Sequence, residues 1–156
     1  MLNTQIDNTI DRFDRLILDI LSREGRLSIT DLAKRINLSK SPTQVRFKRL
    51  CNLGYISGFR AVLNPQILKR EHVSFTEVKL SNTTEKALKS FNKEVWKIPE
   101  VEQCHLIAGS FDYLLKVRTR NIQDYRRVLG EAISTLPFVS SSSTHIAMQS
   151  VKDLAL

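Results

Sequence analysis

Apolar residues in the first third of the chain recur at the three- and four-residue spacing of amphipathic helices. The first stripe predicts a helix over residues 11–23. Ser28, with Asp31 three positions later, predicts the capped start of a second, short helix. A third helix is predicted over residues 40–52, where Pro42 suits a first turn whose N–H groups have no partner in the helix. The pattern therefore predicts three helices in close succession.

The third predicted helix has an apolar face and a polar face. The apolar face carries Thr43, Phe47, Leu50 and Cys51. The opposite and flanking positions carry Ser41, Gln44, Val45, Arg46, Lys48 and Arg49. A helix packed on one side can present its Gln, Arg and Lys side chains to base edges and phosphates. Two short helices joined by a turn of three or four residues have helix-turn-helix geometry, in which the second helix enters the major groove of DNA.

Residues 54–63 predict a turn followed by a pair of strands, because Gly54 and Gly58 bound a run of aromatic and β-branched residues. Such a hairpin would be the wing of a winged helix-turn-helix. The DNA-binding domain is therefore assigned to residues 1–63. Asn64-Pro65 breaks the hairpin, and residues 64–72 are assigned as a linker.

The remaining residues, 73–156, alternate between strand and helix patterns. Strands are predicted over 73–80, 101–108, 112–120 and 139–148, and helices over 84–97 and from Asn121 or Asp124 to Leu136. The order β-α-β-β-α-β predicts an α+β, ferredoxin-like domain with both helices on one face of an antiparallel sheet. The alternation changes phase near Glu77, which predicts a bulge or burial on both faces. Two copies could cover their open sheet faces by packing together, which gives the two-fold dimer that a palindromic operator requires.

The positive charge is concentrated in the predicted DNA-binding domain. The chain has 156 residues and a formal net charge of +8, and residues 1–60 hold 11 Lys and Arg against 6 Asp and Glu. Residues 73–156 hold 11 against 9. A basic N-terminal third is the expected footprint of a nucleic-acid-binding surface.

Other features of the composition indicate a cytoplasmic protein. No apolar run approaches the roughly 20 residues that span a bilayer, so no membrane partner is expected. Residues 1–11 lack the basic and apolar regions of a secretory signal. Cys51 and Cys104 are far apart and outside any zinc or CxxC spacing, which predicts reduced core thiols. The tail, residues 151–156, adds little to the prediction.

The sequence predicts no enzyme, no cofactor and no metal site. His72, His105 and His145 are scattered, and Cys104 and His105 are neighbours on a strand, so they point to opposite faces. No metal, phosphate or dinucleotide motif occurs. An RNA-recognition module would need exposed aromatic residues on its central strands, which this sequence lacks. Two alternatives stay open: a stand-alone amino-acid-binding or assembly protein, and an effector-independent, nucleoid-type DNA-binding protein.

The segment Gly109-Ser110-Phe111-Asp112 separates two predicted strands. It can be an ordinary hairpin turn with a turn-favoured Asp. It can also be an amino-acid site, in which Asp112 accepts hydrogen bonds from the ligand ammonium and the N–H groups of the turn hold its carboxylate. Glycine at position 109 would let the backbone approach the ligand closely.

With these features the sequence resembles the Lrp/AsnC family, the leucine-responsive or feast/famine transcriptional regulators. The resemblance runs from about Ile10 to Lys152. In the first half it rests on Asp14-Arg15-Leu16-Ile17-Leu18, Leu32-Ala33-Lys34-Arg35-Ile36, Leu38-Ser39-Lys40-Ser41-Pro42 and Gly54-Tyr55-Ile56-Ser57-Gly58-Phe59. In the second half it rests on Val101-Glu102-Gln103-Cys104-His105-Leu106, Gly109-Ser110-Phe111-Asp112-Tyr113-Leu114-Leu115 and Leu136-Pro137.

The resemblance implies a regulator that binds double-stranded DNA at a pseudo-palindromic operator. It also implies a response to a small molecule, with an amino acid as the leading candidate. It implies homodimers that often assemble into octamers, with effector sites at the contacts between dimers. By position it implies DNA contacts from Ser39, Lys40, Ser41, Thr43, Gln44, Val45, Arg46, Lys48 and Arg49. It implies an effector site lined by Leu106, Gly109, Ser110, Phe111, Asp112, Ile122, Thr144 and Ile146.

Three positions depart from the family pattern. Relatives often have an acidic residue where this chain has Ser110, and an aromatic or aliphatic residue where it has His145. Both departures bear on the identity of the effector. Val45 stands where relatives usually have a polar or charged residue, which predicts a contact with a thymine methyl group or a different operator.

Overall fold

A computed structural model describes residues 10–153 of the chain. The chain divides into two compact units between Ala61 and Val62, so residues 62–72 group with the second unit. Residues 1–9 and 154–156 lie outside the described residues, and the expectation about a secretory signal in residues 1–11 falls almost entirely there. No helix within residues 10–153 is long and apolar enough to cross a membrane.

The first unit contains three helices close to the predicted positions. They are α1 (Arg12–Arg23), α2 (Ile29–Arg35) and α3 (Lys40–Asn52). Asp11 caps α1 in a reciprocal capping box with Asp14, and the Ser28 hydroxyl caps α2 by accepting from the Asp31 N–H. The three helices enclose a core of Ile17, Leu21, Leu32, Ile36 and Leu50.

The turn between α2 and α3 depends on a left-handed residue. Asn37 has a φ of 55°, a conformation that Asn tolerates better than most residues. The N–H of Asn37 donates to Lys34 O, and that of Leu38 donates to Ala33 O at 3.0 Å. These two bonds form a Schellman motif, which satisfies the last carbonyls of α2 and directs the chain into α3.

The predicted strand pair over residues 54–63 is wrong, because no residue in that range is in a strand. Gly54 does form a turn, with a φ of 79°. After it, the segment is held by side chains: Ile56 packs against the helical core, and the Phe59 ring stacks on Phe47 with centroids 6.2 Å apart. An isolated pair of short strands has marginal stability without a third strand or a helix to pack on, and this segment has no ladder partner.

The second unit has the predicted order of strands and helices. Its elements are β1 (His72–Leu80), α4 (Glu85–Val95), β2 (Val101–Leu106), β3 (Tyr113–Thr119), α5 (Ile122–Val128) and β4 (Val139–Ile146), and α5 continues into a π-helical turn over Leu129–Ile133. The sheet is antiparallel with the order β2-β3-β1-β4. β1 is buried on both faces near its start, and its pairing with β4 shifts between Lys79 and Leu80, two residues beyond the predicted position.

One face of the sheet packs against α4 and α5. Tyr113, Leu115 and Val117 of β3 are buried in this core, and Tyr113 stacks on Phe91 of α4 with ring centroids 4.2 Å apart. Cys104 of β2 packs beside them, and burial raises the pKa of its thiol to about 11. This thiol is therefore protonated at neutral pH, in agreement with its prediction as a core thiol.

The other face of the sheet carries a network of charges. Lys116 and Arg118 of β3 are about one-tenth exposed, and both form ion pairs with Glu102 and Asp153. Burial lowers the pKa of the Arg118 guanidinium, but the hydrogen bonds with Glu102 and Asp153 raise it by more. The tail was expected to add little, but Asp153 pairs with both buried cations of this face and shares them with Glu102.

Candidate functional site

The exposed surface of α3 carries the side chains that can reach a nucleic acid. Ser41, Gln44, Val45 and Lys48 are exposed and follow the helical spacing of a single stripe. Val45 is 67% exposed, so its methyl groups are accessible from solvent. Ser39 and Lys40 are exposed at the start of the helix. The stripe thus offers an amide, a methyl-bearing side chain and a cation to an approaching ligand.

Thr43, which the resemblance placed among the DNA contacts, is not on this surface. Its side chain is fully buried. Its hydroxyl donates to the Ser39 carbonyl at 2.9 Å, within α3 and its cap. Thr43 belongs to the packed face of the helix, and we remove it from the DNA-contacting set.

Arg46 and Arg49 face α1 and bind a buried carboxylate there. Asp14 is 0% exposed, and Arg46 Nη1 donates to Asp14 Oδ1 at 2.9 Å. Arg49 pairs with the other oxygen of the same carboxylate. Arg46 also pairs with Asp11 at 2.6 Å, and its guanidinium lies over the Phe13 ring at 5.5 Å. The two arginines therefore join α3 to α1.

The cluster shifts the ionisation of Asp11 and Arg46 toward their charged forms. The pKa of Asp11 is lowered, first by the N–H of Asp14 and then by Arg46, against an opposing effect of burial. The pKa of Arg46 is raised by its hydrogen bonds with Asp14 and Asp11. Asp11 and Arg46 are therefore favoured in their charged forms, within the ion pairs that join α3 to α1.

The sequence contains a signal for this cluster that the prediction of three amphipathic helices did not use. Ile10, Asp14, Ile17 and Leu21 lie on one face of α1 at helical spacing, so Asp14 interrupts an apolar stripe. A carboxylate in a core requires a cationic partner or hydrogen-bond donors. The basic residues of α3 were the available partners, and their pairing could have been anticipated.

The eight predicted effector-site residues form two separate groups in one chain. The first group comprises Leu106, Gly109, Ser110, Phe111 and Asp112, at the turn that joins β2 and β3. In this group Asp112 already has a structural partner, because Asp112 Oδ2 accepts from the Leu80 N–H at 2.7 Å. The second carboxylate oxygen has no partner among the described residues.

The second group comprises Ile122, Thr144 and Ile146. Ile122 begins α5 after β3 ends, and Ile146 pairs with Ser74 near the start of β1. The turn of the first group lies instead beside the end of β1, where the N–H of Asp112 donates to Val78 O. β2 and β4 form the opposite edges of the sheet. Three strand spacings separate them, which is about 14 Å. A single subunit therefore does not bring the two groups together.

Comparison with known proteins agrees with this two-part architecture. Residues 10–57 match a winged helix-turn-helix DNA-binding domain, and residues 73–155 match the Lrp/AsnC ligand binding domain. The fold and these matches define a transcriptional regulator with a DNA-binding and a ligand-binding domain. The chain belongs to the Lrp/AsnC family.

Several relatives span nearly the whole chain. The proline dehydrogenase transcriptional activator of Rhizobium radiobacter is 59% identical over 156 residues, which is 100% of both chains. The leucine-responsive regulatory protein of Escherichia coli K12 is 41% identical over 92% of this chain and 87% of its own. Among solved structures, an AsnC family regulator from Agrobacterium tumefaciens has a TM-score of 0.87 at 30% identity, covering 92% of this chain and 94% of its own.

A second solved structure is relevant to the ligand-binding domain. It is a transcriptional regulator of Neisseria meningitidis in complex with L-Met, with a TM-score of 0.86 and 27% identity, covering 93% of this chain and 94% of its own. Because the family members are DNA-binding regulators, the prediction that this chain is not an enzyme is confirmed. The predicted fold class and family are confirmed as well.

Proposed function

We propose that this regulator acts in the cytoplasm as an activator of a proline dehydrogenase gene and responds to an amino acid, with proline as the first candidate. The observation that carries the proposal is the end-to-end match, at 59% identity, to a protein described as a proline dehydrogenase transcriptional activator. A regulator that binds the amino acid can couple expression of the degrading enzyme to the presence of its substrate.

Operator recognition is assigned to the exposed stripe of α3. Gln44 can bond bidentately to an adenine edge, Val45 can contact a thymine methyl group, and Lys48 can bind a backbone phosphate. Ser39, Lys40 and Ser41 are exposed at the helix start and would contact phosphates. In a homodimer the two copies of α3 would read successive major-groove segments of a pseudo-palindromic operator.

We expect Gln44→Ala to weaken operator binding by about 1–3 kcal/mol and to relax the preference at one base pair, since base-edge contacts carry specificity. Lys48→Ala should instead weaken binding to all sequences and reduce its salt dependence. Fluorescence anisotropy with operator and scrambled duplexes at several salt concentrations measures both effects. Lys93→Ala, on the exposed surface of α4, is the control for the loss of one positive charge. Unchanged operator affinity in both α3 variants would remove this stripe from the DNA interface.

The effector site is assigned to a contact between subunits. The two residue groups lie at opposite edges of the sheet in one chain, so a site lined by both requires the turn of one copy beside β4 and α5 of another. At such a site the free oxygen of Asp112 would accept from the ligand ammonium, and the N–H groups of the Gly109 turn would hold the carboxylate. Assembly of dimers into octamers would create these contacts.

A thermal-shift screen against the twenty amino acids, followed by sedimentation with any ligand found, tests the effector assignment. A ligand at 100 times its Kd should add about 2.7 kcal/mol of stability. We expect proline to be among the stabilising compounds and to change the sedimentation coefficient, because its site is shared between subunits. Stabilisation with no change in sedimentation would place the site within one subunit. A screen without any hit would favour the effector-independent, nucleoid-type alternative.

A further inference from the structure

A recess in the second unit, with a volume of about 320 Å³, is lined by four arginines. They are Arg70 from the segment before β1, Arg118 at the end of β3, Arg120 just after it, and Arg127 in α5. Two carboxylates, Glu100 and Asp124, also line it, so the lining carries more positive than negative charge. None of the eight residues assigned to the amino-acid site lines this recess.

The arginines differ in how far their hydrogen-bonding capacity is already used. Arg118 is paired with Glu102 and Asp153 on the open face of the sheet. Arg120 binds both oxygens of Asp124, through Nε and Nη2. These two cations are therefore neutralised within the fold.

Most hydrogen-bond donors of Arg127 and Arg70 have no partner among the described residues. The nearest carboxylate oxygens to Arg127 belong to Glu100, at 3.9 Å, and Glu131, at 3.7 Å. Both distances exceed hydrogen-bond length, and the Arg127 side chain is 52% exposed. Among the described residues, the Arg70 guanidinium makes a single long bond, from Nη2 to Arg118 O at 3.5 Å. The N–H groups of these two guanidinium groups are therefore available to bind an oxyanion in the recess.

From these observations we propose that the recess binds a small molecule carrying a phosphate group. A phosphate offers three acceptor oxygens and up to two negative charges, so it can bridge guanidinium groups that approach from α5 and from the segment before β1. The volume exceeds that of a lone phosphate, and Leu68 and Pro99 provide apolar lining for an organic portion. Such a ligand would tie Arg70, in the segment that leads into β1, to α5.

This proposal is independent of the amino-acid effector. It is tested on the full chain by calorimetric titration with adenosine monophosphate, inorganic phosphate and adenosine as probes. We expect adenosine monophosphate to bind and adenosine not to bind, because the phosphate supplies the recognised charge. Binding of inorganic phosphate as well would assign the recognition to the oxyanion alone and support the proposal.

The variants Arg127→Ala and Arg126→Ala form a matched pair. Both remove one charge from α5, and Arg126 is exposed but does not line the recess. We expect Arg127→Ala to weaken adenosine monophosphate binding at least about tenfold, since a charge-assisted hydrogen bond is lost, and Arg126→Ala to leave it unchanged. Equal weakening in both variants would show diffuse charge attraction and overturn the proposal.

Two further outcomes would also overturn it. One is the absence of binding by both phosphate-containing probes at millimolar concentration. The other is displacement of adenosine monophosphate by a short DNA duplex together with loss of duplex affinity in Arg127→Ala, which would make the recess part of the DNA surface instead.

Discussion

Replacing Arg46 and Arg49 together with alanine is expected to lower the free energy of unfolding of the first unit by about 3–5 kcal/mol, because the fully buried carboxylate of Asp14 would lose both cationic partners. The resemblance implied that both arginines contact DNA, but their contacts with Asp14 also give them a structural role. Weak operator binding in the double variant would therefore not identify a DNA contact.

Urea unfolding of the full chain, followed by far-ultraviolet circular dichroism, measures the loss of stability. Amide hydrogen exchange locates it: protection should fall in α1 and α3 and stay unchanged in β3 of the second unit. Arg23→Ala is a control, because Arg23 makes an exposed ion pair with Asp19 within α1 and should have little effect on stability. Unchanged unfolding in the double variant would mean that the ionic cluster contributes no stability.

A further variant separates the structural role of the arginines from a role in DNA binding. Asp14→Leu combined with Arg46→Met and Arg49→Met replaces the buried ion pairs of Asp14 with apolar side chains and keeps Asp11 as the N-cap of α1. Such an exchange of a buried ionic group is often neutral or stabilising. We expect it to recover much of the lost stability. If this folded variant binds the operator normally, the arginines act only by joining α3 to α1. If its affinity stays low, they also contact DNA.

Replacing Asp112 with asparagine is expected to weaken the response to the amino-acid effector by about ten- to a hundredfold while the protein stays folded, since a hydrogen bond to a charged group contributes about 1.5–3 kcal/mol. Asparagine retains a carbonyl oxygen that can accept from the Leu80 N–H, the bond that Asp112 makes in the fold. It removes the negative charge that would pair with the ligand ammonium. Asp112→Ala, in contrast, would leave the Leu80 N–H without its acceptor.

The effector concentration for half-maximal change in operator binding, measured for wild type and Asp112→Asn, tests this prediction. Basal operator affinity without effector serves as the internal control and should be unchanged. Ser110→Ala, at the same turn, measures the contribution of a second effector-site residue whose replacement alters no charge. An unaltered effector response in Asp112→Asn would place the sensing site elsewhere in the chain.

The helices and strands could be predicted because their signals are local. Ser28 and Asp31 specify where α2 begins within a few residues. The alternation of Tyr113, Leu115 and Val117 with Leu114, Lys116 and Arg118 indicates the strand β3. The absence of strands in residues 54–63 could not be predicted from the sequence. A strand depends on a partner for its backbone, and β-branched or aromatic residues alone do not supply one.

The candidate sites depended on contacts that are distant in sequence. Asp14 and Arg46 are 32 positions apart, and Asp112 binds Leu80 across the same separation. The strand order β2-β3-β1-β4 then places Leu106 and Ile146 on opposite edges of the sheet, although the resemblance assigned both to one site. Sequence spacing alone gave no distance between them, so their separation within one chain emerged only from the fold.

The ion pairs of Asp153 have a consequence for the pairing of two copies through their open sheet faces. With Asp153 in place, the charges of Lys116 and Arg118 are balanced by two carboxylates. Without it, each open face would carry an uncompensated cation, which a second copy packed on that face would have to desolvate. The segment after β4 therefore supplies a counterion to the sheet, and we expect the predicted pairing of two copies to depend on this residue outside the sheet.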